Sequence, residues 1–243
     1  MAVNPKSWNP VDGLRRLQFA VLPPHCLLCG QAGDDERDLC SACANDLTRN
    51  RVCCPRCALP LQTPAPLCGE CLRREPPFAA AWAPFVYAAP IDQLLTRLKF
   101  GHSLAAGRVL AELWMDAAHD TPPARPDALI PVPLHERRLR ERGYNQALEL
   151  VRPLARALQI PLRADLLART RATAAQSDLD ADARRRNLKG AFRAAAGVPA
   201  CVAVVDDVMT TGATLRECAK VLLHAGAERV DVWALARAPK LRQ

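Results

Sequence analysis

Aromatic residues are scarce: Phe, Trp and Tyr together make 5% of the 243 residues. Proteins that grip single strands by stacking bases on rings rely on them, so that mode of nucleic-acid binding is disfavoured. No stretch approaches the roughly 20 apolar residues that cross a bilayer. A secretory leader is missing as well, because Arg15 and Arg16 are followed only by Phe19 to Leu22 before Pro23-Pro24 stops the run. A cytoplasmic protein is expected on that pattern. There is no Gly-x-Gly-x-x-Gly, which argues against a dinucleotide site. Nor is there a helix-turn-helix or other DNA-reading motif, which leaves a transcriptional regulator weakly supported.

What is present suits one α/β domain with a small accessory module. Half of the residues are apolar, a normal share for a packed core. The net charge of +8 is uneven. Residues 1–77 carry 9 Lys/Arg and 8 Asp/Glu, whereas the remainder carries 24 against 17. Within it, 163–193 holds eight basic and four acidic residues. Such a surplus suits a phosphate-rich ligand or nucleic acid, although a solvated basic surface is the commoner cause.

Nine of the eleven cysteines fall between 26 and 71. Without an export signal, this density indicates metal rather than disulfides. Cys26, Cys29, Cys40 and Cys43 recur 28 residues on as Cys54, Cys57, Cys68 and Cys71, a tandem C-x2-C-x10-C-x2-C. Two C-x2-C turns complete a four-thiolate shell, so two structural zinc sites are expected, with no open position for catalysis. Ligands could also interleave between repeats, and Cys53 or His25 could replace a neighbour. Residues 23–75 carry too little apolar bulk for a separate core, so metal is expected to supply most of the module's folding free energy.

A linker is read at 73–77. One or two short strands are expected within 78–90, then two helices across 91–114 broken at Gly101. A buried strand at 128–132, a helix over 146–158, a strand at 201–207, a helix over 215–225 closed by Gly226 and a strand at 230–235 follow. Strands alternating with helices argue for a parallel sheet wrapped by helices, whose ligands bind beyond the carboxyl ends of the strands.

The segment 202–215 reads VAVVDDVMTTGATL. It places Asp206 and Asp207 at such a strand end, just before Thr210, Thr211, Gly212, Ala213 and Thr214. That loop leads into a helix, so its free N–H groups and the helix dipole form an anion pocket. No Lys follows the glycine, which excludes a Walker loop. Carboxylates beside an anion are repelled unless they face a donor-rich group such as a ribose diol, or a nearby Mg2+. The bland alternative is a capping Asp and a surface turn.

VVDDVMTTGAT resembles the signature of type I phosphoribosyltransferases, which bind 5-phosphoribosyl-1-pyrophosphate (PRPP). Further segments are similar to the ComF/GntX branch: Leu98-Lys99-Phe100, Pro131 to Leu134, Arg137, Arg138 and Arg142 with Gly143 to Gln146, Gln176, Arg184, and Arg186-Asn187 to Phe192. The resemblance runs from about Pro23 to the C-terminus. It implies a type I phosphoribosyltransferase fold, a parallel sheet flanked by helices with a hood, preceded by the cysteine module. The corresponding division is an N-terminal helical segment over 1–22, a double zinc ribbon over 23–75 and the transferase domain over 78–243.

By the same resemblance, Asp206 and Asp207 hold the ribose hydroxyls, Thr210 to Thr214 hold the 5′-phosphate, and Arg137 and Arg138 sit in the pyrophosphate loop. Lys99, Arg184 and Asn187 assist, and Mg2+ accompanies PRPP. Residues 168–192 lack a clear period and are the candidate lid, which would exclude water during transfer. Two functions are implied: phosphoribosyl transfer to an acceptor with release of pyrophosphate, or a non-catalytic PRPP- or nucleotide-binding adaptor for single-stranded DNA, working with DNA-uptake or helicase proteins.

Overall fold

The structure is a computed structural model that describes residues 23–34, 36–171 and 188–240. The expected helical segment at 1–22 lies outside them, as do Gln176, Arg184, Asn187 and most of the candidate lid. The chain divides into two compact units between Leu47 and Thr48.

The first unit holds the first cysteine repeat, with a short helix α1 (Ser41–Asn45) that is capped by Cys40 and carries Cys43. In the larger unit, α2 (Gly69–Arg73) occupies the same place in the second repeat. There follow β1 (Ala81–Trp82), β2 (Phe85–Val86), α3 (Ile91–Phe100) and α4 (Leu104–Asp120). Next come β3 (Ala128–Pro131), α5 (Glu136–Arg142), α6 (Gln146–Ala157), β4 (Leu167–Arg169) and β5 (Phe192–Ala194). The chain closes with β6 (Cys201–Met209), α7 (Ala213–His224) and β7 (Arg229–Arg237).

The sheet runs β1-β7-β6-β3, all parallel, with β2 continuing β1 along β7. Val202 to Val205 are all buried, as a strand covered on both faces requires, and this explains why β6 reads as a continuous apolar run. Pro131 ends β3 at the sheet's side, where a missing N–H costs least. Helix α3 buries Ile91, Leu94, Leu95 and Leu98, one face at helical spacing. It stops at Gly101, and Ser103 starts α4 by accepting from Ala106 N at 3.2 Å. Helix α6 runs from its cap Asn145 straight through Pro153.

β4 and β5 form an antiparallel pair, Leu167 opposite Ala194 and Arg169 opposite Phe192. Strands this short carry no readable period, and the candidate lid at 168–192 took in Ala168, Arg169 and Phe192. The tryptophans serve packing: Trp82 stacks on Trp114 at 6.1 Å and meets Trp233 edge-on at 5.4 Å. Cys54, Cys57, Ala58, Leu59, Cys68 and Cys71 share one apolar core with Val202, Val204, Leu215, Leu222 and Val230. The second ribbon is therefore built into the sheet's own core.

Candidate anion-binding cleft and metal centres

Each cysteine repeat gathers its own four sulfurs. Cys26, Cys29, Cys40 and Cys43 form one cluster and Cys54, Cys57, Cys68 and Cys71 the other, with all sulfurs of a cluster within 4.8 Å of one another. Tetrahedral zinc with Zn–S near 2.3 Å places sulfurs about 3.8 Å apart. Cys29 and Cys40 are separated by 3.7 Å, Cys57 and Cys68 by 3.5 Å. Zinc fits both centres. Burial alone would raise Cys54, but N–H groups of Cys68, Cys57 and Arg56 outweigh it and bring the thiol down to about 7, towards the thiolate a metal needs. His25 is turned to the Pro23 carbonyl at 2.8 Å, and Cys53 lies outside the cluster, so neither replaces a ligand.

The second feature stands at the carboxyl end of β6. Asp207 is buried, and its Oδ2 lies 2.8 Å from Lys99 Nζ, delivered by the last turn of α3. Asp206 Oδ1 accepts from Asp207 N at 2.9 Å. Burial, then the adjacent Asp207 charge, push the Asp206 carboxyl up to about 8 despite Lys99. Burial by itself would lower Lys99, yet the Asp207 charge and hydrogen bond hold it above its ordinary value. The Lys99 ammonium thus stands beside the paired acids and offsets part of their charge.

Thr210 and Thr211 lead to Gly212, which caps α7 in the left-handed region at φ 73°. Gly212 has no side chain to cap this 12-residue helix, and Ala213 N donates instead to Thr211 Oγ1 at 3.4 Å. A β carbon on Gly212 would come within 2.7 Å of Met209 Cε. The left-handed backbone favours glycine here, while the flexible end of Met209 would have to move aside for a side chain. A recess of about 50 Å³ over residues 208–215 opens beside a cleft of about 220 Å³.

That cleft brings Lys99, Asp206, Asp207, Thr210, Thr214 and Arg138 together. Arg142 also lines it and lies over the Phe100 ring at 5.5 Å. Arg137 does not join them. It is largely exposed and paired with Glu141 at 2.9 Å, because consecutive residues on α5 point about 100° apart. His135 caps α5 by accepting from Arg137 N at 3.2 Å.

Two groups in the cleft were not read as site residues. Arg169, at the end of β4, lines it, with burial and then Arg138 lowering its pKa from the ordinary guanidinium value. Gln146 is 3% exposed, and its buried Nε2 has no hydrogen-bond partner within the protein. Its neighbours fix the α6 start: Tyr144 OH donates to Leu98 O, and Asn145 Nδ2 to Val132 O at 3.0 Å. The Gly143-Tyr-Asn-Gln146 run thus marked the position, while the direction of each side chain came from its contacts.

A parallel sheet flanked by helices, with paired acids and a glycine-containing loop at its carboxyl edge and two four-cysteine centres in the chain, is consistent with a phosphoribosyltransferase-like α/β protein with a zinc ribbon. Residues 17–72 match the double zinc ribbon domain. The chain is 40% identical over 204 residues to the DNA utilization protein YhgH of Escherichia coli O157:H7, covering 82% of this chain and 90% of that protein. Competence protein F of Haemophilus influenzae is 38% identical over 226 residues, 88% of this chain and 96% of that protein. Competence protein ComFC of Streptococcus pneumoniae is 26% identical over 229 residues, covering 87% and 99%. The chain belongs to the ComF/YhgH family of competence and DNA-utilisation proteins. Among the described residues, no helix is long and apolar enough to cross a membrane.

Proposed function

We propose that the cleft binds PRPP and that the protein transfers its phosphoribosyl group to an acceptor, releasing pyrophosphate. The observation that carries this reading is the meeting of the Asp206–Asp207 pair with the glycine-led start of α7 beside Lys99, Arg138 and Arg169. The loop at 210–214 would take the 5′-phosphate through its N–H groups, and the two carboxylates would accept from the ribose diol. Arg138 and Arg169, with Arg142 at the rim, are suited to fork around diphosphate oxygens. Adjacent acids, Asp207 buried and Asp206 half-buried, also suit a divalent cation. Mg2+ arriving with PRPP would neutralise charge on the departing pyrophosphate. The chain's own residues would orient the ribose and shield it from water, which asks for no covalent step from the protein.

PRPP-dependent pyrophosphate release, screened over nucleobases, amines and single-stranded DNA, tests the reading. Turnover with one class names the acceptor. Absence of PRPP binding by calorimetry, with Mg2+ present, overturns it.

A second reading, a non-catalytic PRPP- or nucleotide-binding adaptor for single-stranded DNA, is favoured by the DNA-related names of the relatives and by the basic surplus after residue 77. PRPP binding without release under every acceptor condition supports it. DNA displaced by saturating PRPP would mean that both occupy the basic cleft, and phosphate contacts would make DNA affinity fall with salt.

A further inference from the structure

Arg237, the last residue of β7, is 4% exposed, and its guanidinium donates to main-chain carbonyls. Its Nε donates to Cys57 O at 3.1 Å. Its Nη1 donates to Met209 O at 3.0 Å, to Ala238 O at 2.7 Å and to the nearby Thr210 O. Cys57 is a ligand residue of the second cysteine centre, whereas Met209 and Thr210 begin the anion loop. A buried guanidinium is costly unless its donors are satisfied, so this one is retained against a substantial desolvation penalty.

The peptide geometry gives the arrangement a consequence. In a planar trans peptide the C=O and the following N–H point in opposite directions. With the carbonyls of Met209 and Thr210 drawn to Arg237, the N–H groups of Thr210 and Thr211 are turned away from it. Ala238 N also donates to Met209 O at 3.0 Å, so the β7 end and its Arg237 side chain together aim the loop from behind, and that side chain is anchored on the knuckle of the metal centre.

We propose that Arg237 is a positioning residue that couples the second zinc centre to the 209–214 loop. Metal holds the Cys57 knuckle, the knuckle holds Arg237, and Arg237 sets the direction of the loop's N–H groups. The mechanical link stands on the contacts above, while its effect on ligand affinity rests on the proposed PRPP reading. Lysine keeps the charge but has no planar fork able to span the knuckle and the loop together. Methionine keeps length alone.

The test uses the zinc-loaded full chain, as wild type, Arg237→Met, Arg237→Lys and a first-centre control, Cys40→Ser with Cys43→Ser. In Arg237→Met, amide hydrogen exchange over 209–216 is expected to rise about tenfold, the scale of one lost charged hydrogen bond. Zinc release from the second centre to a chromogenic chelator should quicken, and PRPP affinity should fall by about tenfold or more. Arg237→Lys should lie between, and it carries the test if the methionine variant does not fold. The first-centre control should leave exchange in that segment unchanged. Wild-type exchange and wild-type zinc release in both Arg237 variants would overturn the coupling, as would an equal rise in exchange in the first-centre control. If wild-type protein fails to bind PRPP, the PRPP reading falls, and the exchange and zinc measurements still decide the coupling.

Discussion

The two ribbons share a backbone and differ in surroundings. Gly30 N donates to Cys26 O at 2.8 Å and Ala58 N to Cys54 O at 2.7 Å, 28 residues apart. Both residues take positive φ, 77° and 54°. The bridges His25–Ala32 and Cys53–Pro60 correspond, as do α1 and α2. Yet the first cluster has Cys29 exposed with Cys40 and Cys43 half-buried, whereas all four thiols of the second are buried. The cause lies beside the ligands. Exposed Gln31 corresponds to buried Leu59, and Gly33 to Leu61, which packs on the core. The second ribbon thus places apolar side chains in the sheet's core at positions where the first carries Gln31 and Gly33.

The largest expected difference follows from that burial. Cys68→Ser with Cys71→Ser should destabilise the larger unit by on the order of 5 kcal/mol or prevent its folding, since metal binding there is folding free energy. Cys40→Ser with Cys43→Ser should leave that unit's denaturation midpoint unmoved, followed through the Trp82–Trp114–Trp233 cluster, and lower zinc to about one ion by elemental analysis. Equal effects of the two pairs would remove the contrast.

Next in size, Asp206→Asn with Asp207→Asn should abolish measurable PRPP binding by calorimetry while zinc content and fold persist, because both side chains stand at a strand end. Gly212→Val should also abolish PRPP binding and cost about 1–3 kcal/mol, since it forces a β-branched residue into positive φ against Met209. Its disturbance should speed zinc release at the second centre and not at the first. Removing residues 1–47 should have less effect, leaving a folded unit with unchanged PRPP affinity.

The smallest effect concerns pH. Asp206 is protonated in the ligand-free native state up to about pH 8, whereas an unfolded carboxyl ionises near 3.8. The native state binds the extra proton, so stability should fall as pH rises through that window and level off above it, by less than about 1.4 kcal/mol per unit. Denaturation at pH 6 and 8.5 should show a shallower slope in Asp206→Asn. An unchanged slope would mean that Asp206 is already ionised.

Local chemistry made much of this protein readable in advance. The spacing of eight cysteines states its ligand sets, because a C-x2-C turn aims both thiols at one ion. Val202 to Gly212 likewise reads as buried strand, acids and anion loop, each segment acting through its own backbone. The helices around Gly101 and across 146–157 were legible because one face of each is apolar.

Only tertiary structure decided which neighbours meet. In Glu136 to Arg142 nearly every residue is charged, so no apolar stripe shows that Arg138 turns inward and Arg137 outward. Arg169 enters the cleft through a three-residue strand whose pairing partner lies more than twenty residues away, beyond the reach of any local pattern. The break after Glu75 looked natural because 73–77 is polar and proline-rich, yet the core joins Cys54 and Leu59 to Val204 and Leu222. Arg237 closes a sequence that otherwise reads as plain apolar strand. Its purpose depends on carbonyls of Cys57, Met209 and Thr210 that point to one place only once the sheet has brought them together.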